Sequence, residues 1–464
     1  MKITINGAAQ TVTGSQYLIE INGSKLLLEC GLFQGKRAQT YEQNQHFSFP
    51  PSKVDALILS HAHIDHSGNL PNLVKQGFSN PIYTTPPTAR LADFMLLDSA
   101  HIQEADIEYI NRKRERRGET PVEPLYTIPD AENVQHLFKR VNYNTEFEPV
   151  PGVTARLVDA GHILGSAAIV LDVKENGRRF RLWFSGDIGR ENLPLLKDPI
   201  LPEDVDYLIM ECTYGDKPHR DPQLAYDELR SIVNDTIARK GKVIIPAFAV
   251  GRTQEIVYSL NTMMTNDEMP KIPVFVDSPL AVNISNVFQE FPEYFDAETS
   301  KFIREHHHPA LDFPQLTYVQ TLQESKSLND KHGPMIIISA SGMAETGRIL
   351  HHLKNNIENP NNTILIVSWQ APNTLGRRLA DREPLVNIFG EQYHRRAQVA
   401  TIGGLSAHAG QNMLLKYAKS SGSQLKRLIL VHGEPKAAQV FREKLTENGI
   451  EPILYPSQGQ SMDI

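Results

Sequence analysis

The sequence predicts an α/β protein in which a strand-rich segment is interrupted by an inserted segment of alternating strands and helices. Three observations predict it. Short apolar runs broken by glycine turns fill the first two hundred residues. From about residue 221, helix-length and strand-length segments alternate, the pattern of a parallel sheet covered on both faces. The last seventy residues return to the style of the first. The expected organisation is therefore residues 1–210 as the first part of one domain, 211–395 as the insertion, and 396–464 as the closing part.

In the first part, Ile3–Ile5, Gln16–Ile21 and Lys25–Glu29 read as strands, split by Gly14 and the Asn22-Gly23 turn. Val54–Leu59 is a buried-strand run that ends directly in Ser60-His61, and a helix is expected from Pro87 to about Asn111. Val153–Val158, Ala167–Val173, Phe180–Phe184 and Tyr207–Met210 complete this part. In the insertion, a helix to Arg239 precedes the apolar strands Val243–Ile245, Val274–Val276, Met335–Ser339 and Ile364–Ser368. The closing segment is assigned the strands Val399–Ile402 and Leu428–His432.

Composition bounds the function. With 464 residues, 40% hydrophobic and 22% charged, the chain is long enough for two or more cores. Two cysteines exclude a disulfide framework and a thiolate zinc site, and no run approaches the roughly 20 apolar residues of a membrane helix. The residues from Met1 to Gly7 lack the apolar stretch of a signal peptide, so a cytoplasmic protein with no membrane partner is expected. A net charge of −7 argues against broad electrostatic coating by nucleic acid. The basic runs Arg112-Lys113-Arg114, Arg116-Arg117, Arg377-Arg378 and Arg395-Arg396 read first as solvated surface. His306-His307-His308 precedes Pro309 in a polar stretch and reads as a surface loop.

Chemistry concentrates in His61-Ala62-His63-Ile64-Asp65-His66. An extended backbone after a strand points residues 61 and 63 the same way, while Asp65 and His66 face a second position as the chain turns into a helix. Imidazole with carboxylate suits zinc or a similar metal in a catalytic site. Four residues are too few for two ions, so further ligands are sought at other strand ends. His162 in Gly161-His162, Asp187 in Gly186-Asp187 and His432 in His432-Gly433 each stand in a glycine-containing turn there. Singly each reads as a turn residue; together with the cluster they read as ligands.

These motifs resemble the metallo-β-lactamase fold, and the rest of the chain resembles its β-CASP branch of RNA-processing nucleases. The resemblance spans almost the whole sequence, through Thr13-Gly14-Ser15, Leu32–Gly35, Asp159–Ser166, Phe248–Arg252, Asp277–Ala281, Ser341–Met343, Ser406-Ala407-His408 and Val431–Glu434. It implies an αββα sandwich carrying an inserted doubly wound α/β domain. It implies two Zn2+ ions, with Mn2+ as an alternative. His61, His63 and His162 would hold the first and Asp65, His66 and His432 the second, with Asp187 bridging. It implies a ribonuclease, with endonucleolytic and 5′-exonucleolytic cutting both left open, acting on single-stranded RNA through a water shared by the metals. Asp65 and Asp187 would belong to the catalytic centre. His408 would be the general acid and Glu211 its partner. Histidine at 432 favours RNA over DNA. Glu29 stands where the family has aspartate and would orient a histidine ligand. Ser341, Gly342 and Met343, before a helix expected near Thr346, and Arg377 would hold RNA phosphates. A DNA nuclease, a small-molecule hydrolase and a non-catalytic RNA-processing scaffold are the alternatives, with either a monomer or a homodimer compatible.

Overall fold

A computed structural model describes residues 1–35 and 37–464. Contacts divide the chain into two compact units. One comprises residues 1–191, 198–218 and 408–464; the other comprises residues 192–197 and 219–407.

The first unit holds two seven-stranded sheets. One runs in the order Ser461–Asp463, Lys2–Ile5, Tyr17–Ile21, Ser24–Leu28, Ala56–Ile58, Ile82–Thr84, Phe138–Arg140. The other runs Ile453–Leu454, Arg427–Val431, Tyr207–Glu211, Arg178–Phe184, Ala167–Glu175, Val153–Asp159, Phe147–Val150. One core lies between them: Ile3, Ile5, Tyr17, Ile19, Leu26 and Leu28 pack with Leu157, Ile169, Leu171, Leu182, Phe184 and Ile429. These residues alternate along their strands, so each sheet turns every second side chain inward. The other face of the second sheet is covered by helices Gln411–Lys419 and Pro435–Glu447, through Leu414, Tyr417, Phe441 and Leu445. This is the αββα sandwich that the family resemblance implies.

The inserted unit has a six-stranded sheet in the order Leu316–Tyr318, Val274–Val276, Met335–Ser339, Lys242–Pro246, Thr363–Ile366, Gln398–Thr401. Every pairing in it is parallel. Strand Gln398–Thr401, which the sequence reading places in the closing segment, is the edge strand here, paired with Thr363–Ile366. Its short apolar run carries no signal of which sheet it joins. A two-stranded hairpin, Leu385–Ile388 with Glu391–His394, is a further feature that the sequence reading lacks. His306 ends helix Ala297–His306 and packs on Phe302, with His307 and His308 just beyond.

Candidate metal centre

All the sequence-predicted ligands stand just beyond the carboxyl ends of strands in the first unit. His61 and His63 follow Ala56–Ile58, Asp65 and His66 lie in the single helical turn Ile64–Ser67, and His162, Asp187 and His432 follow the strands ending at Asp159, Phe184 and Val431. Close backbone packing fixes these turns. Ser15 N–H donates to Asp65 O at 2.8 Å and Cys30 N–H to His66 O at 2.8 Å. A Cβ at Gly31 would stand 1.7 Å from Asp65 O, so only glycine permits this approach. Gly189 is pressed in the same way against Gly161 O, which holds the Asp187 turn against the His162 turn.

Two sets of ligand atoms result. In the first, His63 Nδ1 lies 3.1 Å from His61 Nε2 and 3.2 Å from His162 Nε2. Asp187 Oδ2 lies 3.4 Å from His61 Nε2 and 3.5 Å from His162 Nε2. In the second, His66 Nε2 lies 3.3 Å from both His432 Nε2 and Asp187 Oδ1, and Asp65 Oδ2 lies 3.4 Å from His432 Nε2. A tetrahedral ion with ligands at about 2.0–2.1 Å sets those ligands about 3.3–3.4 Å apart, the spacing found here. Asp187 Oδ1 is buried without a hydrogen-bond partner, although buried carboxylates are ordinarily satisfied. The residues therefore fit a bound cation, and the two oxygens of Asp187 face different sets.

The surrounding hydrogen bonds fix the histidine tautomers. His66 Nδ1–H donates to Glu29 Oε2 at 2.7 Å, which turns Nε2 toward the second set of ligand atoms; a metal there would displace the Nε2 proton. Ser60 donates its N–H to Glu29 Oε1 at 2.7 Å and its hydroxyl to Oε2 at 3.0 Å. The same hydroxyl accepts from His61 Nδ1 at 2.9 Å. Glutamate at 29 thus reaches His66 directly and His61 through Ser60. Thr213 Oγ1 stands 3.1 Å from His432 Nδ1. The sequence reading lacks roles for Ser60 and Thr213; their signal is a hydroxyl beside or two residues after an acid or ligand on an apolar strand.

Electrostatics follow burial. Burial drives His61 down to about 3 and His63 to about 4, so both stay neutral. Burial also opposes charge on His66, but Asp187, Glu29 and Asp65 outweigh it and hold its imidazolium well above the ordinary range. Burial would raise Asp187, yet His432, His66 and His408 keep it well below the usual carboxylate range. Glu29 is raised by its burial, against its bonds to His66 and Ser60.

His408 is 22% exposed at its side chain, with Nδ1 3.1 and 3.2 Å from the two Glu211 oxygens and 3.8 Å from Asp187 Oδ2. Burial disfavours its charge, but Glu211 and then Asp187 lift it to about 9. Glu211 is fully buried and accepts the Ile188 N–H at 2.6 Å. In the inserted unit, Ser341, Gly342, Met343 and Arg377 come together, because Gly376 N–H donates to Met343 O at 3.0 Å. Ser341 Oγ accepts from Glu345 N–H, and Arg377 pairs with Asp381 at 2.8 Å. The helix expected near Thr346 begins at Arg348, after Gly347.

This fold and site define a metallo-hydrolase of the metallo-β-lactamase superfamily, whose description matches residues 10–149. The β-CASP domain matches residues 253–379, and a Zn-dependent metallo-hydrolase RNA specificity domain matches residues 392–456. The chain is 35% identical over 456 residues to ribonuclease TTHA0252 of Thermus thermophilus, covering 98% of each. It is 30% identical to the transcription termination factor FttA of Cenarchaeum symbiosum, over 100% of this chain and 71% of that one. A solved protein of unknown function from Enterococcus faecalis shares the fold, with a TM-score of 0.55 at 14% identity over 99% of each chain. The chain belongs to the β-CASP family of metal-dependent nucleases. Among the described residues, no helix is long and apolar enough to cross a membrane.

Proposed function

We propose that the protein is a zinc-dependent ribonuclease that hydrolyses phosphodiester bonds of single-stranded RNA with two metal ions. One observation carries this reading: Asp187 turns one oxygen to His61 and His162 and the other to His66, each contact at 3.3–3.5 Å. His61, His63 and His162 would hold one ion, Asp65, His66 and His432 the other. Zn2+ suits the ligand set and Mn2+ is the alternative. When bound, the metal pair supplies a hydrolytic nucleophile at neutral pH and neutralises charge on the phosphate.

The chain's own residues do the rest. Glu29 and Ser60 hold His66 and His61 through Nδ1, so that each turns Nε2 toward the metal position. Glu211 orients the His408 ring and favours its protonated form, so that His408 delivers a proton to the departing oxygen. The 35% identity with a named ribonuclease along 98% of both chains supports RNA as the substrate. Likeness to transcription termination factors supports a second reading, a role in transcription termination.

The test compares His408→Ala with Asp187→Asn. His408→Ala should keep both metals and lose about 10²–10⁴-fold in kcat on RNA, while Asp187→Asn should lose metal as well. Equal metal loss in both would overturn the division of roles. Opening of a circular RNA separates endonucleolytic from 5′-exonucleolytic cutting.

A further inference from the structure

We propose that Phe248 and Trp369 form a stacking platform for unpaired nucleobases on the inserted unit; this rests on the ribonuclease reading and adds where bases are held. Three adjacent strands of its sheet, Met335–Ser339, Lys242–Pro246 and Thr363–Ile366, end in the loops carrying Gly342, Phe248 and Trp369. In an open parallel sheet, ligands bind beyond the carboxyl ends of strands where the winding reverses. Here it reverses between the first two of these strands: after Lys242–Pro246 the chain winds to Val274–Val276, while after Met335–Ser339 it winds the other way to Thr363–Ile366.

Phe248 is 43% and Trp369 56% exposed. Rings this large ordinarily find a core. A Cβ at Gly342 would meet three carbons of the Phe248 ring at 2.9–3.0 Å, so the bare backbone lets the ring lie against it. The Gly342 carbonyl also accepts from Gln370 Nε2 at 3.0 Å, which ties the Trp369 loop to the surface on which Phe248 rests. The Gly376 N–H bond to Met343 O ties the start of helix Leu375–Ala380 to that same loop, and the Arg377 guanidinium there is ion-paired with Asp381 at 2.8 Å. Aromatic rings bind single strands by stacking on bases, whatever the sequence, because every base has a π-face.

Trp369 reports its own occupancy, because the second tryptophan, Trp183, is buried and bonded to Tyr417. Adenosine 5′-monophosphate has no phosphodiester to cut, so it can be titrated into the metal-loaded enzyme. It should quench tryptophan emission saturably, whereas ribose 5-phosphate, which lacks only the base, should not. Trp369→Phe should abolish the adenosine 5′-monophosphate signal, which assigns the emission change to this ring. Trp369→Ala and Phe248→Ala should raise the KM for single-stranded RNA about fivefold or more, with the larger part of kcat retained. Equal quenching by ribose 5-phosphate, or an unchanged KM in Trp369→Ala, overturns the platform. The wild-type enzyme on RNA in the same assay keeps the two readings apart: absence of cleavage refutes the ribonuclease reading, while base-dependent quenching stands on its own.

Discussion

Two buried aspartates, one in each unit, occupy the same kind of position. Asp187 follows strand Arg178–Phe184 and Asp277 follows strand Val274–Val276, and each faces histidine. Asp277 is fully partnered: Oδ2 accepts from Ser325 Oγ at 2.5 Å and lies 2.6 Å from His352 Nε2, and Oδ1 accepts from Arg348 at 2.7 Å. Asp187 faces five histidines, His61, His66, His162, His408 and His432, but leaves Oδ1 without a hydrogen-bond partner. A carboxylate with all its lone pairs satisfied is holding structure together. A carboxylate ringed by imidazole nitrogens at 3.3–3.5 Å, with one buried oxygen left without a hydrogen bond, is arranged for a cation.

The largest effect that would break this contrast is on activity. Asp187→Asn should reduce bound metal below about one ion per chain and abolish measurable RNA cleavage, while the metal-free protein stays folded; metal analysis beside circular dichroism checks it. Asp277→Asn should do the reverse. Leaving Arg348 and His352 without their buried counter-charge should destabilise the inserted unit by about 3–5 kcal/mol in denaturant unfolding. Bound metal per chain should not change. Metal loss in Asp277→Asn would erase the distinction.

A smaller effect sharpens it. Glu29→Gln keeps the shape of the carboxylate but removes its charge from His66 and, through Ser60, from His61. Metal affinity should fall about 10–100-fold, measurable by competition with a chromogenic chelator. The Asp277 network should be untouched, with the same unfolding transition for the inserted unit.

The contrast was only half legible in the sequence. His61, His63, Asp65 and His66 stand within six residues, and His162, Asp187 and His432 sit in turns at strand ends that an apolar run announces. Asp187 and Asp277 look alike at this level, since both follow apolar strands. What separates them is the partner set, and those partners lie 48 to 75 residues from Asp277 in Ser325, Arg348 and His352. The strand-rich first part was legible for a related reason, because an apolar run is a local property; the αββα arrangement of its sheets came only from the family resemblance. The sheet joined by Gln398–Thr401 was not, because pairing is decided by tertiary register. The exposure of Phe248 and Trp369 was equally hidden: an aromatic after an apolar strand reads as core until the strands are ordered side by side.

The last effect is on stability against pH in the metal-free protein, and it separates the two regions by window. His61 and His63 are held near 3 and 4 by burial, whereas an unfolded histidine titrates near 6.5. Between about pH 4 and 6.5 the unfolded chain therefore binds protons that the folded chain excludes, so these groups make stability rise with pH and fall on acidification. Each contributes about 1.4 kcal/mol per pH unit inside its window. Asp277 works in another range. Its burial raises its carboxyl, but His352, Ser325 and Arg348 bring it below the ordinary 3.8, so its stabilising share is complete above that value and is lost only as pH falls further. Acidification from pH 6.5 to 5 should then weaken the first unit and leave the network around Asp277 intact, as unfolding curves followed separately for the two units would show. Restoring zinc should move the first unit's acid limb to lower pH, because metal and proton compete for the same nitrogens. A limb that zinc fails to move would mean that the histidines at the strand ends are not its ligands.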